Sequence, residues 1–165
     1  MPDGKVNPAL WEARKRGVLF DVGHGGGSFW FRNGITAMEQ GFPPDSLSTD
    51  LHVCVNGLED SMMSLCGKFM AMGMPMEEVI YRSTWTPAQQ INRTDLGHLS
   101  VGAIADVSVF DVRKGKFGFW DCGRAKVIGD KKLDCMLTFQ GGELAYDGCG
   151  MNKPLWRDAP PKYWE

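Results

Sequence analysis

Long apolar runs are missing from this chain of 165 residues. None approaches the ~20 residues that cross a bilayer, and Met1-Pro2-Asp3-Gly4-Lys5 leads into no signal-like apolar core, so membranes are disfavoured and the cytoplasm is the expected location. A charge excess is missing too: 18 Lys and Arg stand against 20 Asp and Glu, and a formal charge of -2 supplies no basic field for nucleic acid or anionic lipid. The five cysteines, Cys54, Cys66, Cys122, Cys135 and Cys149, include no C-x-x-C pair. An odd, widely spaced set excludes a disulfide framework and a zinc knuckle, and is expected to be reduced and mostly buried as small apolar filler.

What is present suits a folded α/β domain. A hydrophobic fraction of 43% with 23% charged residues is close to the globular average, enough to bury a core. Pro8 to Arg16 read as a short helix that Gly17 stops, with basic residues in its last turn. Val18 to Val22 form a continuous apolar run, as in a strand buried on both faces of a parallel sheet. A glycine loop follows, then Phe31, Ile35 and Met38 at helical spacing. Ser46 to Val53 read as a second strand, and Leu58, Met62, Leu65, Cys66, Phe69 and Met72 as one face of a helix closed by Gly73. Pro75 opens another helix running to Arg82.

From Gly97 the pattern changes to short, glycine-punctuated runs, read as antiparallel strands at Val107 to Val112, Phe117 to Cys122, Lys126 to Ile128, Cys135 to Phe139 and Glu143 to Tyr146, with a reversal at Gly129-Asp130-Lys131-Lys132. The tail after Gly150 is expected to be an extended arm that packs its aromatics on another surface. The chain thus divides into 1–96, 97–150 and a tail at 151–165.

His24-Gly25-Gly26-Gly27 at the mouth of the first strand has three readings. An oxyanion loop of the esterase type requires a nucleophile elbow, and no G-x-S-x-G occurs. A phosphate cradle is weak without G-x-G-x-x-G or G-x-x-x-x-G-K-[ST]. The third is that a side chain close to His24 must approach a ligand or neighbouring backbone. Asp50, in Ser48-Thr49-Asp50 at the end of the second strand, could merely cap a turn. Its position carries more weight, because parallel-strand barrels place catalytic groups at the C-terminal ends of strands, where both Asp50 and His24 stand. Further on, Thr86 can cap a helix begun by Pro87, Gly97 and Gly102 turn the chain, and Asp106 ties down a turn through backbone hydrogen bonds.

Thr86-Pro87-Ala88, then Gly97-x-Leu99-x-x-Gly102-x-x-Ala105-Asp106 followed by an apolar strand, resembles the C-terminal hallmark of the amidohydrolase superfamily. Phe20-Asp21-Val22-Gly23-His24-Gly25 with Ser28-Phe29 and Ser48-Thr49-Asp50 is similar to its dihydroorotase-like deacetylase branch, and the likeness runs from about residue 5 to residue 150. The resemblance implies an α/β fold: the C-terminal portion of a (β/α)8 TIM-like metal-dependent hydrolase barrel, its last two βα units, joined to strands of a small β-sandwich. It implies hydrolysis of a non-peptide C–N bond (amide, N-acyl or cyclic amide) in a small-molecule substrate. In such enzymes the aspartate after the eighth strand touches the catalytic divalent metal, expected to be zinc, and shuttles the proton from water to the leaving nitrogen. Asp50 matches that position. His24, Gly25 and Ser28 would line the substrate pocket, with His52 at most supporting them.

The departures are as informative. The family's H-x-H pair, its bridging lysine and two further histidines have no counterpart among three histidines, and a complete barrel needs ~250 residues. The expectation is that the rest of the barrel is encoded upstream or supplied by a second chain, that this chain alone is inactive, and that bare strand edges promote association. The rival is a non-catalytic α/β module that binds an anion or completes a barrel from another chain.

Overall fold

The computed structural model describes residues 4–25, 27–52 and 61–164. Gly26, Val53, Cys54 and Leu58, which the sequence reading uses, lie outside them. The described helices and strands run in the order α1 (Pro8–Lys15), β1 (Asp21–Gly23), α2 (Phe31–Glu39), β2 (Ser46–Ser48), α3 (Met62–Ala71), α4 (Met76–Ser83), α5 (Trp85–Gln90), β3 (Val107–Trp120), β4 (Lys126–Gln140) and β5 (Glu143–Asp147). Two compact units emerge, Met1–Ala103 with Val112–Asp134, and Ile104–Asp111 with Cys135–Glu165.

In the first unit β1 and β2 pair in parallel, Asp21 with Ser46 and Gly23 with Ser48, with α2 in the connection between them. The termini of the helices follow local chemistry. Asn7 accepts the Ala9 amide at the start of α1, Ser61 accepts that of Ser64 at the start of α3, and Gly73, at φ 97, ends α3 where a side chain would be strained. Helices α3, α4 and α5 pack on β2. Phe29, Phe31, Phe42, Leu47, Leu65, Phe69, Val79 and Phe119 form the buried core. Each such side chain contributes ~1.5–3 kcal/mol of apolar transfer. Below the sheet, Asp45 Oδ2 accepts from the Phe20 amide at 2.8 Å and from Arg14 Nη2 at 3.1 Å, while the Arg14 guanidinium stacks 3.8 Å from the Phe42 ring centroid. This cluster locks the N-terminal ends of the two strands in register.

Three expectations are corrected. The first strand is shorter than the apolar run: Val18 and Leu19 are exposed, not buried on both faces. Thr86 does not cap α5, because the helix begins at Trp85 with Thr84 as its N-cap and Thr86 lies in its first turn. The chain does not reverse at Gly129. It runs straight through as β4, and β3 likewise joins two runs read as separate. Gly129 is needed for proximity, since a Cβ there would stand 3.0 Å from both Ala71 Cβ and the Phe119 ring.

In the second unit β5 pairs antiparallel with β4, Leu137 opposite Asp147 and Thr138 opposite Tyr146. The Asp106 carboxylate accepts the Gly141 amide at 2.8 Å, the turn-fixing role expected of it. The tail forms two short 3-10 turns, Trp156–Asp158 and Pro161–Trp164, rather than an extended arm. Its aromatics meet one another, Trp164 lying 5.8 Å from Trp156 and 5.1 Å from Tyr163 between centroids.

No helix among the described residues is long and apolar enough to cross a membrane.

Candidate functional site

The C-terminal ends of β1 and β2 meet at Asp50. The parallel ladder continues past β1 when the His24 amide donates to Thr49 O at 3.1 Å, which draws the glycine loop alongside the residue before Asp50. Asp50 itself has φ 49, a left-handed conformation that few residues other than glycine adopt and that aspartate tolerates better than most. The turn is held by two local bonds: the Leu51 amide donates to Thr49 Oγ1 at 3.2 Å, and His52 Nδ1–H donates to Asp50 O at 2.7 Å. Nδ1 therefore carries a proton in this contact, because a carbonyl oxygen only accepts.

This turn aims the Asp50 side chain at the glycine loop. A Cβ on Gly25 would overlap the Asp50 carboxylate and stand 3.1 Å from His52 Cε1, and one on Gly23 would stand 2.7 Å from Asp50 Cβ. Close approach, the third of the sequence readings, therefore explains Gly23 and Gly25, whereas a Cβ on Gly27 would meet nothing within 4 Å. Ser28 closes the loop, its amide donating to Gly25 O at 3.3 Å and its Oγ lying 3.3 Å from Gly25 O and 3.4 Å from Gly23 O. An open cleft of about 470 Å³ is lined by Asp21, Val22, Gly23, Ser28, Ser48 and Asp50.

His24 does not face that cleft. It is fully buried, its ring tilted against Phe29 at 4.9 Å between centroids. Of the residues singled out in the sequence, Asp50 and Ser28 line the cleft and Gly25 backs the Asp50 carboxylate, while His24 packs beneath the loop.

Two features were missed. Asp21 lies on the cleft-facing side of the strands and accepts hydrogen bonds from Ser46 Oγ at 2.6 Å and Ser48 Oγ at 2.5 Å, so the cleft floor is polar. Alternation of Ser46 and Ser48 in β2 was the available signal. The other is Asp121, 1% exposed, whose Oδ2 accepts the Phe31 amide at 2.8 Å and whose Oδ1 accepts the Ala125 amide at 2.9 Å. It caps α2 from ninety residues away in sequence, where Trp30 offers no side-chain cap of its own. Cys122 adds a 2.7 Å contact from Sγ to Phe29 O, and Gly123 admits the Trp30 ring. The turn between β3 and β4 thus holds the far end of the glycine loop. No sequence-local signal marks a cap of that separation.

The hallmark segment is a scaffold. Gly97, at φ 76, lies against the chain at Thr84, where a Cβ would come within 2.5 Å of the Thr84 carbonyl oxygen. His98 Nδ1 accepts the Ser100 amide at 3.3 Å, so Nε2 carries the proton and donates to Thr94 O at 3.2 Å. The hydrogen bonds from the Arg93 guanidinium first, and a backbone hydrogen bond second, hold the Asp95 carboxyl down to about 2.

Among the described residues no group of three or more His, Cys, Asp or Glu side chains is arranged to hold a metal ion. Asp50 offers one carboxylate, on a face kept clear by two glycines, which fits a single contact to a divalent cation and not a complete coordination sphere.

Residues 32–143 match the model of the amidohydrolase family. A deacetylase of Enterococcus faecalis (strain ATCC 700802 / V583) is 29% identical over 145 residues, which are 87% of this chain and 39% of that protein. A solved structure of an adenine deaminase superposes with a TM-score of 0.82 at 29% identity, over 87% of this chain and 39% of that one. A solved dihydroorotase gives a TM-score of 0.69 at 28% identity, over 84% of this chain and 39% of that one. The chain therefore spans well under half the length of these relatives.

Proposed function

The chain belongs to the amidohydrolase family, and from that premise we propose that it is the C-terminal part of a metal-dependent hydrolase of non-peptide C–N bonds, in which Asp50 is the proton shuttle and one contact to the metal. The matched relatives are a deacetylase, an adenine deaminase and a dihydroorotase, a set that supports hydrolysis at a C–N bond. In this reading β1 and β2 are the last two strands of a (β/α) barrel and the strands after Gly97 belong to a small sandwich. One observation carries the site: the Asp50 carboxylate stands over Gly25 at the C-terminal end of parallel strands, on the wall of an open cleft.

A divalent cation, zinc in the expected case, would acidify water toward a pKa of ~7. Asp50 accepts the proton of the attacking water and returns it to the leaving nitrogen, for which one carboxylate within hydrogen-bond reach suffices. His52 fixes the turn that aims it. Ser28 and Gly25 shape the substrate side, and the buried His24 supports the loop from beneath.

The rival anion-binding module is opposed by two carboxylates. The Phe31 amide at the start of α2, the group an anion would use, already donates to Asp121, and the Asp50 carboxyl group fills the space beside Gly25. Among the described residues this reading assigns one metal contact, Asp50, so with added zinc or manganese the chain alone should not turn over N-acyl amino acids or cyclic amides. Joined to an upstream polypeptide carrying H-x-H and a barrel lysine, it should hydrolyse a member of that panel, and D50N should lower the rate by ~100-fold or more. Turnover by the isolated chain, or a completed protein indifferent to D50N, contradicts the proposal.

A further inference from the structure

The cysteines do not all behave as core filler. Of the four described, only Cys66 is buried; Cys122 and Cys135 are half-buried and Cys149 is exposed. Two of them sit together in the second unit. The register that sets Leu137 opposite Asp147 continues one rung beyond β5, because the Gly148 amide donates to Met136 O at 2.9 Å. The chain bends at Gly148 and Cys149, just past the last paired position of β5, and Cys135 and Cys149 each lie one residue from the Gly148–Met136 hydrogen bond. A disulfide spans Cα separations of ~4.4–6.8 Å, which continuing that rung by one residue would satisfy.

Cys149 is also held in place. The Asp147 carboxylate accepts the Met151 amide at 2.9 Å and the Asn152 amide at 3.0 Å, and these bonds keep its carboxyl below the usual range. The loop they close keeps Cys149 Sγ 3.8 Å from Met136 O, above β4. Cys135 Sγ lies 3.4 Å from Thr138 Oγ1 and needs only a χ1 rotation to turn toward β5.

We propose that Cys135 and Cys149 form a reversible cross-strand disulfide, a redox modification site that ties the start of the tail to β4. The oxidant is a low-molecular-weight disulfide, RSSR. The exposed Cys149 thiolate attacks one sulfur of RSSR and expels RS⁻. The Cys135 thiolate then attacks Cys149 Sγ and expels the second RS⁻, so two protein thiols and one RSSR become one protein disulfide and two RSH. The site is independent of the hydrolase reading.

The test uses the purified chain with oxidised glutathione, read by intact mass. The expected product has lost two hydrogens and carries no glutathione. Cleavage after Glu143 should leave the Cys135 and Cys149 fragments joined until they are reduced, and C135S should instead stop at a stable glutathione adduct on Cys149. The bond should form faster in the native chain than in urea, where the register is lost. A persistent glutathione adduct on the wild-type chain, an internal bond using any other cysteine, or equal rates in native and unfolded chains would overturn the proposal.

Discussion

The carboxylate of Asp50 occupies the space that a side chain on Gly25 would fill. This relation makes a glycine beside the first strand and an aspartate beyond the second into one feature. G25A should push a short, exposed side chain aside, so the loss of stability should stay near ~1 kcal/mol while the geometry at Asp50 is lost. Urea denaturation and a cation titration of the same variant separate the two effects. G97A is the contrast, because its Cβ would meet the Thr84 backbone and its φ is left-handed, and it should cost ~3 kcal/mol or more. Equal stability losses in the two variants would contradict this account.

Asp121 satisfies two backbone amides from a buried position. D121A leaves both without a partner, at ~1–3 kcal/mol each. Denaturation should show a loss of that order, and hydrogen exchange should quicken at Phe31 and Ala125 together. Faster exchange at Ala125 alone would mean that α2 does not depend on this cap.

The readable part of the sequence was the part written locally. Periodicity and caps located α1 to α4, and strand-end reasoning singled out Asp50, which lies just beyond β2 on the wall of the open cleft. Glycine spacing misled where proximity was the cause: Gly129 suggested a turn, but it is glycine to admit Phe119 and Ala71. The apolar run Val18 to Val22 suggested complete burial, yet Val18 and Leu19 are exposed among the described residues. Asp121 and Phe31 are joined only by the tertiary fold, and no window of sequence contains both.

Exposed apolar residues before β1 bear on association. β1 has β2 as its strand neighbour, and Leu19 just ahead of it is 56% exposed. Light scattering should show the chain associating as concentration rises, and L19K should reduce that association. A clean monomer at high concentration contradicts the view of β1 as a strand awaiting a neighbour.

Asp95 and Asp147 set the acid response of two loops. Arg93 lowers the first carboxyl to about 2, and the backbone amides of Asn152 and Met151 lower the second. Both contributions are complete above the ordinary carboxylate value near ~3.9 and fade as pH falls through the lowered value. A carboxyl-carbon NMR titration should give Asp95 a midpoint near 2, and Asp147 a midpoint below the ordinary value. Ordinary midpoints for both would remove the bonds assigned to them.

The most direct test concerns where a divalent cation settles. Titrating the isotope-labelled chain with manganese should broaden the amide signals of Gly23, His24, Gly25 and Ser28 together with those of Thr49 to His52, and D50N should abolish that broadening while leaving the spectrum otherwise folded. Broadening that survives D50N, or that gathers only on other surface carboxylates, would contradict the assignment of Asp50 to a metal-facing site.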